Sequence, residues 1–389
     1  MKNLSEYIND KSNCVQSAQT KFDLLIYGVQ DNQKLFEKYQ NIFKEEHYAF
    51  DNGNWGVDKK RLTPTEIILP GGIVSKLHIR PESPLSLAET GDCLVIRNGN
   101  KEISEFRFLP RPNFWSEKLS DGTETKRYAQ MYGLNCLNFN LYSGCEFQNC
   151  GKGCKFCSVK ATVDRDSPII VKKTPDKLAE VCQIATDKDK LDYIIITSGS
   201  YINSDIEFEK HIEVIKKIRT HLPWNGRIKG NVSMMPPKDK NRLVELFDNG
   251  VDNPSFNIEV WPHAAFKVFC PGKELYVGFD HILSSLQDLV GYYGPGQVWS
   301  NFVAGLVPIE DMKAGFSFMA ERGIIPGANI YHAEVNSAIG RSIGTIDHEY
   351  VKKLYSFAAE LYHKYDYKPF FNASVLRNSL ANEFYEGWL

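Results

Sequence analysis

Residues 137–157 read Leu-Asn-Phe-Asn-Leu-Tyr-Ser-Gly-Cys-Glu-Phe-Gln-Asn-Cys-Gly-Lys-Gly-Cys-Lys-Phe-Cys. The apolar-rich run 137–141 predicts a strand, and Cys145, Cys150, Cys154 and Cys157 follow it closely. Thr174-Pro175 then supplies an N-cap and first-turn pair for a helix carrying Leu178, Val181, Cys182 and Ala185 on one face. The same alternation continues downstream. Strands are expected at 193–197, 228–234, 256–260, 298–307 and 328–335. Helical spacing appears in Phe208, Ile212, Ile215 and Ile218, over 238–248, in Ile282, Leu283, Leu286 and Leu289, in Met312, Phe316 and Met319, and in Val351, Leu354, Ala358 and Leu361. Ser204 and Glu207 are spaced as a capping box, and Asp280 stands where a cap would begin the 282–289 helix. Six strand–helix units in a row imply parallel strands joined by crossover helices. The expected fold is α/β, a partial (β/α)6 TIM-like barrel with its chemistry at the C-terminal strand ends. A doubly wound open sheet has the same periodicity.

The first 130 residues read differently, as an N-terminal α+β accessory region. A strand then a helix are expected over 24–43, and short strands at 67–69, 74–79, 93–96 and 103–109. The polar run 116–126 reads as a linker. The expected divisions are therefore 1–130, a barrel over 131–345, and a C-terminal helix and tail over 346–389 that closes the barrel. The tail 371–389 is polar and aromatic enough to cover the mouth, with surface packing as the plainer alternative.

With 389 residues and 42% hydrophobic content the chain can bury a substantial core. The 46 basic and 48 acidic side chains give a net charge of −2, which argues against a dedicated nucleic-acid binder. No run approaches the roughly 18 apolar residues of a membrane helix. Met1 to Asp10 lacks the apolar core of a secretory signal, so a cytoplasmic protein is expected. The nine cysteines are odd in number and knotted in one place, which reads as metal before disulfide. The five outside the knot read as buried small apolar residues.

Cys150, Cys154 and Cys157 have the spacing C-x3-C-x2-C. Three thiolates from one short loop can hold three irons of a cubane cluster and leave the fourth open. Gly151 and Gly153 let the loop fold back, and Lys152 and Lys155 favour thiolate. A structural zinc would need a fourth ligand, for which Cys145 is available. That alternative makes the chain a non-catalytic binding protein stabilised by its 145–157 knot.

At this spacing, directly after the first strand of a partial barrel and with the aromatic Phe156 before the last cysteine, the sequence resembles the radical S-adenosylmethionine (radical SAM) superfamily. The resemblance covers roughly residues 134–335. It implies a 4Fe–4S cluster on Cys150, Cys154 and Cys157, SAM chelated to the open iron, and a 5′-deoxyadenosyl radical that takes hydrogen from substrate. A triad of Cys145, Cys154 and Cys157, spaced C-x8-C-x2-C, is the variant. The resemblance assigns the cofactor-contacting turn after the second strand to Ser198, Gly199 and Ser200, without the usual acid. It assigns polar contacts on the fourth strand to Asn257 and Glu259, the fifth-strand glycine to Gly305 beside Val303 and Leu306, and an adenine or substrate contact to His332. An inward Glu259 requires a partner, either the cofactor or a structural cation. Cys270-Pro271-Gly272-Lys273 reads first as a turn. The resemblance also implies an electron donor such as flavodoxin or ferredoxin, and no catalytic acid or base is assigned. A cobalamin-binding D-x-H-x-x-G and a second cysteine cluster are both missing from the sequence. The general shape is nearest the biotin-synthase-like branch, which implies a small-molecule substrate.

Overall fold

The computed structural model describes residues 4–42, 64–159, 170–333, 337–340, 342 and 346–389. Its centre is one sheet built from six parallel strands in sequence order: β1 (Cys136–Asn140), β2 (Tyr193–Thr197), β3 (Ile228–Ser233), β4 (Val251–Ser255), β5 (Val298–Ala304) and β6 (Ile324–Ile330). A short strand, Gln130–Tyr132, pairs antiparallel with the outer edge of β1. The strand order never reverses, so there is no switch point and the doubly wound alternative is excluded. The fold is the partial barrel, open between β6 and the β1 edge.

Period-2 alternation explains why each strand sits as it does. On β2, Ile194 and Ile196 are fully buried beneath the helices, while Ile195 and Thr197 face the barrel interior. The crossover helices complete the outer layer. The helix α1 (Pro175–Lys188) buries Leu178, Val181, Cys182 and Ala185, and α2 (Ser204–Ile218) buries Phe208, Ile212, Ile215 and Ile218. Each such aliphatic or aromatic side chain contributes about 1.5–3 kcal/mol on burial. The remaining crossovers are α3 (Val244–Asp248), α4 (Phe279–Tyr293) and α5 (Ile309–Ala320), and α6 (His348–Tyr365) follows β6.

Several expected boundaries move. The 238–248 segment is a 3-10 turn, Lys240–Leu243, before the short α3. The fourth strand ends at Ser255, yet alternation continues: Phe256, Ile258 and Val260 are fully buried while Asn257 and Glu259 line the interior. The ladder is interrupted there because side chains take the backbone bonds: Ile258 N donates to Ser300 Oγ (3.1 Å) and Asn301 N to Asn257 Oδ1 (3.1 Å), and backbone pairing with β5 resumes at Glu259, whose N donates to Asn301 O (2.9 Å). The sixth strand ends at Ile330, and Val335 lies outside the described residues. Gly278 precedes α4, so Asp280 is a first-turn acid rather than its cap. The α2 cap is Asn203, whose side chain accepts from Asp205 N at 3.1 Å. Glu207 is not part of a capping box. It is buried, accepts from Tyr201 N (3.0 Å) and Met235 N (2.8 Å), and ties the loops after β2 and β3. Burial pushes its carboxyl up to about 7 against those two donors.

In the N-terminal region, residues 24–27 belong to a helix, Cys14–Tyr27, not to a strand; Phe43 lies outside the described residues. Two three-stranded antiparallel sheets follow, and Leu85–Thr90 is a strand the sequence reading missed. Residues 116–126 are not free: Ser120 and Lys177 engage Glu180 and Asp121, and Asp189 accepts from Phe114 N at 2.9 Å. The C-terminal tail joins both ends of the chain. Lys21 meets Glu383 at 2.7 Å with both side chains fully buried, and Arg377 meets Glu66 at 3.1 Å. Residues 371–379 also span the open side of the barrel. Asn378 exchanges hydrogen bonds with Ile330 on β6, and Ser374 O abuts Gly133 beside the β1 edge.

Candidate active site

The loop after β1 carries the cysteines and is seated by two neighbours. The first is the turn after β2. Gly199 N donates to Tyr142 O (2.8 Å), and Glu146 N donates to Ser200 O (2.8 Å). A Cβ at Gly199 would lie 1.4 Å from Gly144 O, so only glycine permits this approach. Ser198, Gly199 and Ser200 therefore act on the cysteine loop and do not line the interior cavity. Gly199→Ala is expected to destabilise the fold by about 1–3 kcal/mol or more, since backbone meets backbone and nothing can rotate away. Thermal or denaturant unfolding checks this, and a parent-like midpoint contradicts it.

The second neighbour is the segment after β4. Cys270 ends one helix (His263–Phe269) and Pro271 opens the next (Pro271–Tyr276), so the expected turn is a helix start. Lys155 N donates to Phe269 O (2.9 Å), and a Cβ on Gly272 would lie 2.5 Å from Lys152 O. Tyr276 stacks on Phe147 at 5.3 Å between ring centroids. The Cys154 and Cys270 thiols are hydrogen-bonded; this lowers the Cys154 thiol against burial, while burial raises Cys270. Burial pushes the Cys157 thiol up to about 12.

Lys273 answers the question raised by Glu259. Its Nζ donates to Glu259 Oε1 (2.9 Å) and to Asn257 O (2.8 Å). Burial opposes the Lys273 charge, but Glu259, Cys154 and Cys270 outweigh it and hold the ammonium above its ordinary value. The partner of Glu259 is thus a structural cation that also lies beside the thiols. Asn257 is a clip between strands: its Nδ2 donates to Ser233 Oγ (3.0 Å) and its Oδ1 accepts from Asn301 N (3.1 Å).

A cavity of about 410 Å³ opens from this loop into the barrel. Phe156, Cys157, Asn257, Glu259, Val303 and His332 line it, with Asn138, Thr197, Asn231, Ser233 and Trp299 from the inner strand faces. The tail contributes Phe371, Val375, Arg377 and Asn378, and the N-terminal region contributes Lys76. The His332 ring packs on His78 at 4.4 Å. Gly305 is away from the cavity; its φ of 98° and a Cβ position 2.4 Å from Ile346 explain the glycine. Leu306 is buried in the core and does not line the cavity. Lys76, Trp299 and Lys273 carried no motif in the sequence. Their signal is tertiary, since they come from three separate segments.

Behind the loop, Lys173 Nζ donates to Ser143 Oγ (3.0 Å) and Ile170 O (2.9 Å), and burial pushes its ammonium down to about 7. The unfolded chain therefore binds more protons than the folded one from about pH 7 up to the ordinary lysine range. Relative to Lys173→Met, the parent should gain stability as pH rises from about 7 to about 10. Denaturant titrations at both pH values measure this, and a pH-independent difference contradicts it.

The donor set suits an iron–sulfur cluster: soft thiols on one short loop, with Lys152, Lys155 and Lys273 near them. No three His, Cys, Asp or Glu among the described residues stand at metal-holding spacing.

No protein-family model matches the chain. It is 23% identical over 275 residues, 64% of its length, to the bacteriochlorophyllide c C-7(1)-hydroxylase of Chlorobaculum limnaeum. Among solved structures it is similar to a maturase of the [FeFe]-hydrogenase (TM-score 0.45, 14% identity, 62% of this chain). It is also similar to coproporphyrinogen III oxidase from Escherichia coli, a radical SAM enzyme (TM-score 0.39, 11% identity, 63% of this chain). The matches span 66%, 52% and 56% of those proteins, less than two thirds of each. The likeness to these solved structures is one of fold. The relatives named here are themselves enzymes. No helix among the described residues is long and apolar enough to cross a membrane.

Proposed function

We propose that the chain is a radical SAM enzyme acting on a small molecule. One observation carries this: the cysteine loop sits after β1, held by the turn after β2, and opens through Phe156 and Cys157 into a cavity lined by the inner strand faces. Cys154 and Cys157, with a third thiol of the same loop, would hold a 4Fe–4S cluster. When bound and reduced by a donor such as flavodoxin or ferredoxin, the cluster with SAM supplies homolysis of the C5′–S bond and a 5′-deoxyadenosyl radical that takes hydrogen from substrate.

The chain's own residues supply the surroundings. Lys273 offsets negative charge beside the thiols and fixes the Glu259 carboxylate against the cavity wall. That carboxylate would orient amino or hydroxyl groups of bound SAM or substrate. Val303, Ile195 and Trp299 give apolar wall for a ring system. The tail 371–379 and the Lys76 strand close the open side, which excludes water from a reactive carbon radical. The similarity to a hydroxylase supports attack at a C–H bond of a small molecule.

A zinc-stabilised binding protein is not favoured, because Cys150, which a four-thiol site on the knot would need, is exposed and faces Tyr276. Anaerobic purification tests the reading. Brown protein with iron and labile sulfide, whose reduced EPR signal changes on adding SAM, supports it. Colourless protein with one zinc per chain overturns it.

A further inference from the structure

The loop offers two cysteines for the third position, and their surroundings differ. Cys145 lies immediately before the short helix Glu146–Asn149, where Gly144 is wedged against Gly199 and Glu146 N is bonded to Ser200 O. Its thiol is half-buried and within electrostatic reach of both Cys154 and Cys157. Cys150 lies at the other end of that helix and is exposed. Its Sγ is 3.3 Å from Phe147 O and 3.6 Å from the Tyr276 hydroxyl, on the outer side of the loop.

Exchanging the two would require unwinding the turn between them. That turn is held by Asn149 N to Cys145 O (3.1 Å), Cys150 N to Glu146 O (3.1 Å), Gly151 N to Gln148 O (3.1 Å) and Lys152 N to Phe147 O (2.7 Å). Stacking of Tyr276 on Phe147 braces it from outside. Each such bond contributes about 1 kcal/mol net, so the helix is a stable insertion and not a loose loop.

We propose that Cys145, not Cys150, is the third thiolate beside Cys154 and Cys157, so that the ligand spacing is C-x8-C-x2-C and the 146–149 helix carries Cys150 to the surface. This rests on the cluster reading above. The chain then departs from the compact C-x3-C-x2-C spacing that its sequence displays.

The test uses the full chain, reconstituted anaerobically with iron and sulfide. Cys145→Ala, Cys150→Ala and Cys154→Ala are compared by iron and sulfide content and by EPR of the reduced state. Cys150→Ala should keep the parent cluster, and Cys145→Ala should lose it as Cys154→Ala does. The reverse pattern, or cluster retained by Cys145→Ala, overturns the assignment. A parent that takes up no cluster overturns the cluster reading and this assignment together. A second measurement needs no variant to fold: iodoacetamide labelling of the parent with and without its cluster, mapped by peptide mass. Cluster loading should protect Cys145, Cys154 and Cys157 and leave Cys150 labelled at an unchanged rate. Protection of Cys150 with Cys145 still labelled overturns the proposal.

Discussion

Cys154→Ala and Cys157→Ala are each expected to emerge from anaerobic reconstitution with background iron, where the parent takes up about four irons per chain. Both thiols sit on the one loop that faces the cavity, and Cys157 lines that cavity directly. Among the described residues, Cys270 is a further thiol beside Cys154, but it is fully buried below the loop and already hydrogen-bonded to Cys154. It stands too deep to replace Cys157 without moving the helix start at Pro271, where Gly272 has no clearance. SAM cleavage should be lost completely in both variants, while apo-protein melting stays near the parent. Iron analysis with quantitation of 5′-deoxyadenosine checks this. A variant that retains iron and turnover would remove its cysteine from the ligand set.

Lys273→Met should have the largest stability effect of a single polar substitution near the site, about 3–5 kcal/mol. The side chains of Lys273 and Glu259 are 6% and 16% exposed, so the carboxylate left behind has little water to replace its partner. Lys273 also satisfies Asn257 O, and Asn257 in turn clips β3 to β5, so one substitution loosens three strand ends. Adding Glu259→Gln removes the stranded charge. The double variant should therefore recover part of the loss, and a denaturant-unfolding cycle measures that coupling. Strict additivity would mean that the ion pair contributes nothing. Cluster potential gives an independent readout: removing a cation near the thiols should make reduction harder, and an unchanged potential would contradict that role.

The barrel was legible because its strands repeat one simple rule, apolar outward and polar inward, as Ile194 and Ile196 against Thr197 show. Strand ends were less legible. Asn257 and Glu259 continue the alternation of β4 although the ladder is interrupted between them and Ser255, where the Asn257 and Ser300 side chains replace backbone partners. The cysteine loop announced its chemistry by composition. Its spacing gave no sign that residues 146–149 wind into a helix and turn Cys150 outward. Gly199 was singled out for a cofactor contact, whereas its need for glycine comes from Gly144 O. Lys273 looked like part of a Pro-Gly turn; its role depends on a contact 14 residues back along the chain. Lys76 and Arg377 reach the same cavity from opposite ends of the chain, a meeting that no local pattern encodes.

The most direct test of the account is anaerobic incubation of the reconstituted full chain with SAM and dithionite, followed by quantitation of both cleavage products. 5′-Deoxyadenosine and methionine are expected in equal amounts, dependent on iron loading and abolished in Cys157→Ala. An iron-loaded, reduced protein that leaves SAM intact would contradict it.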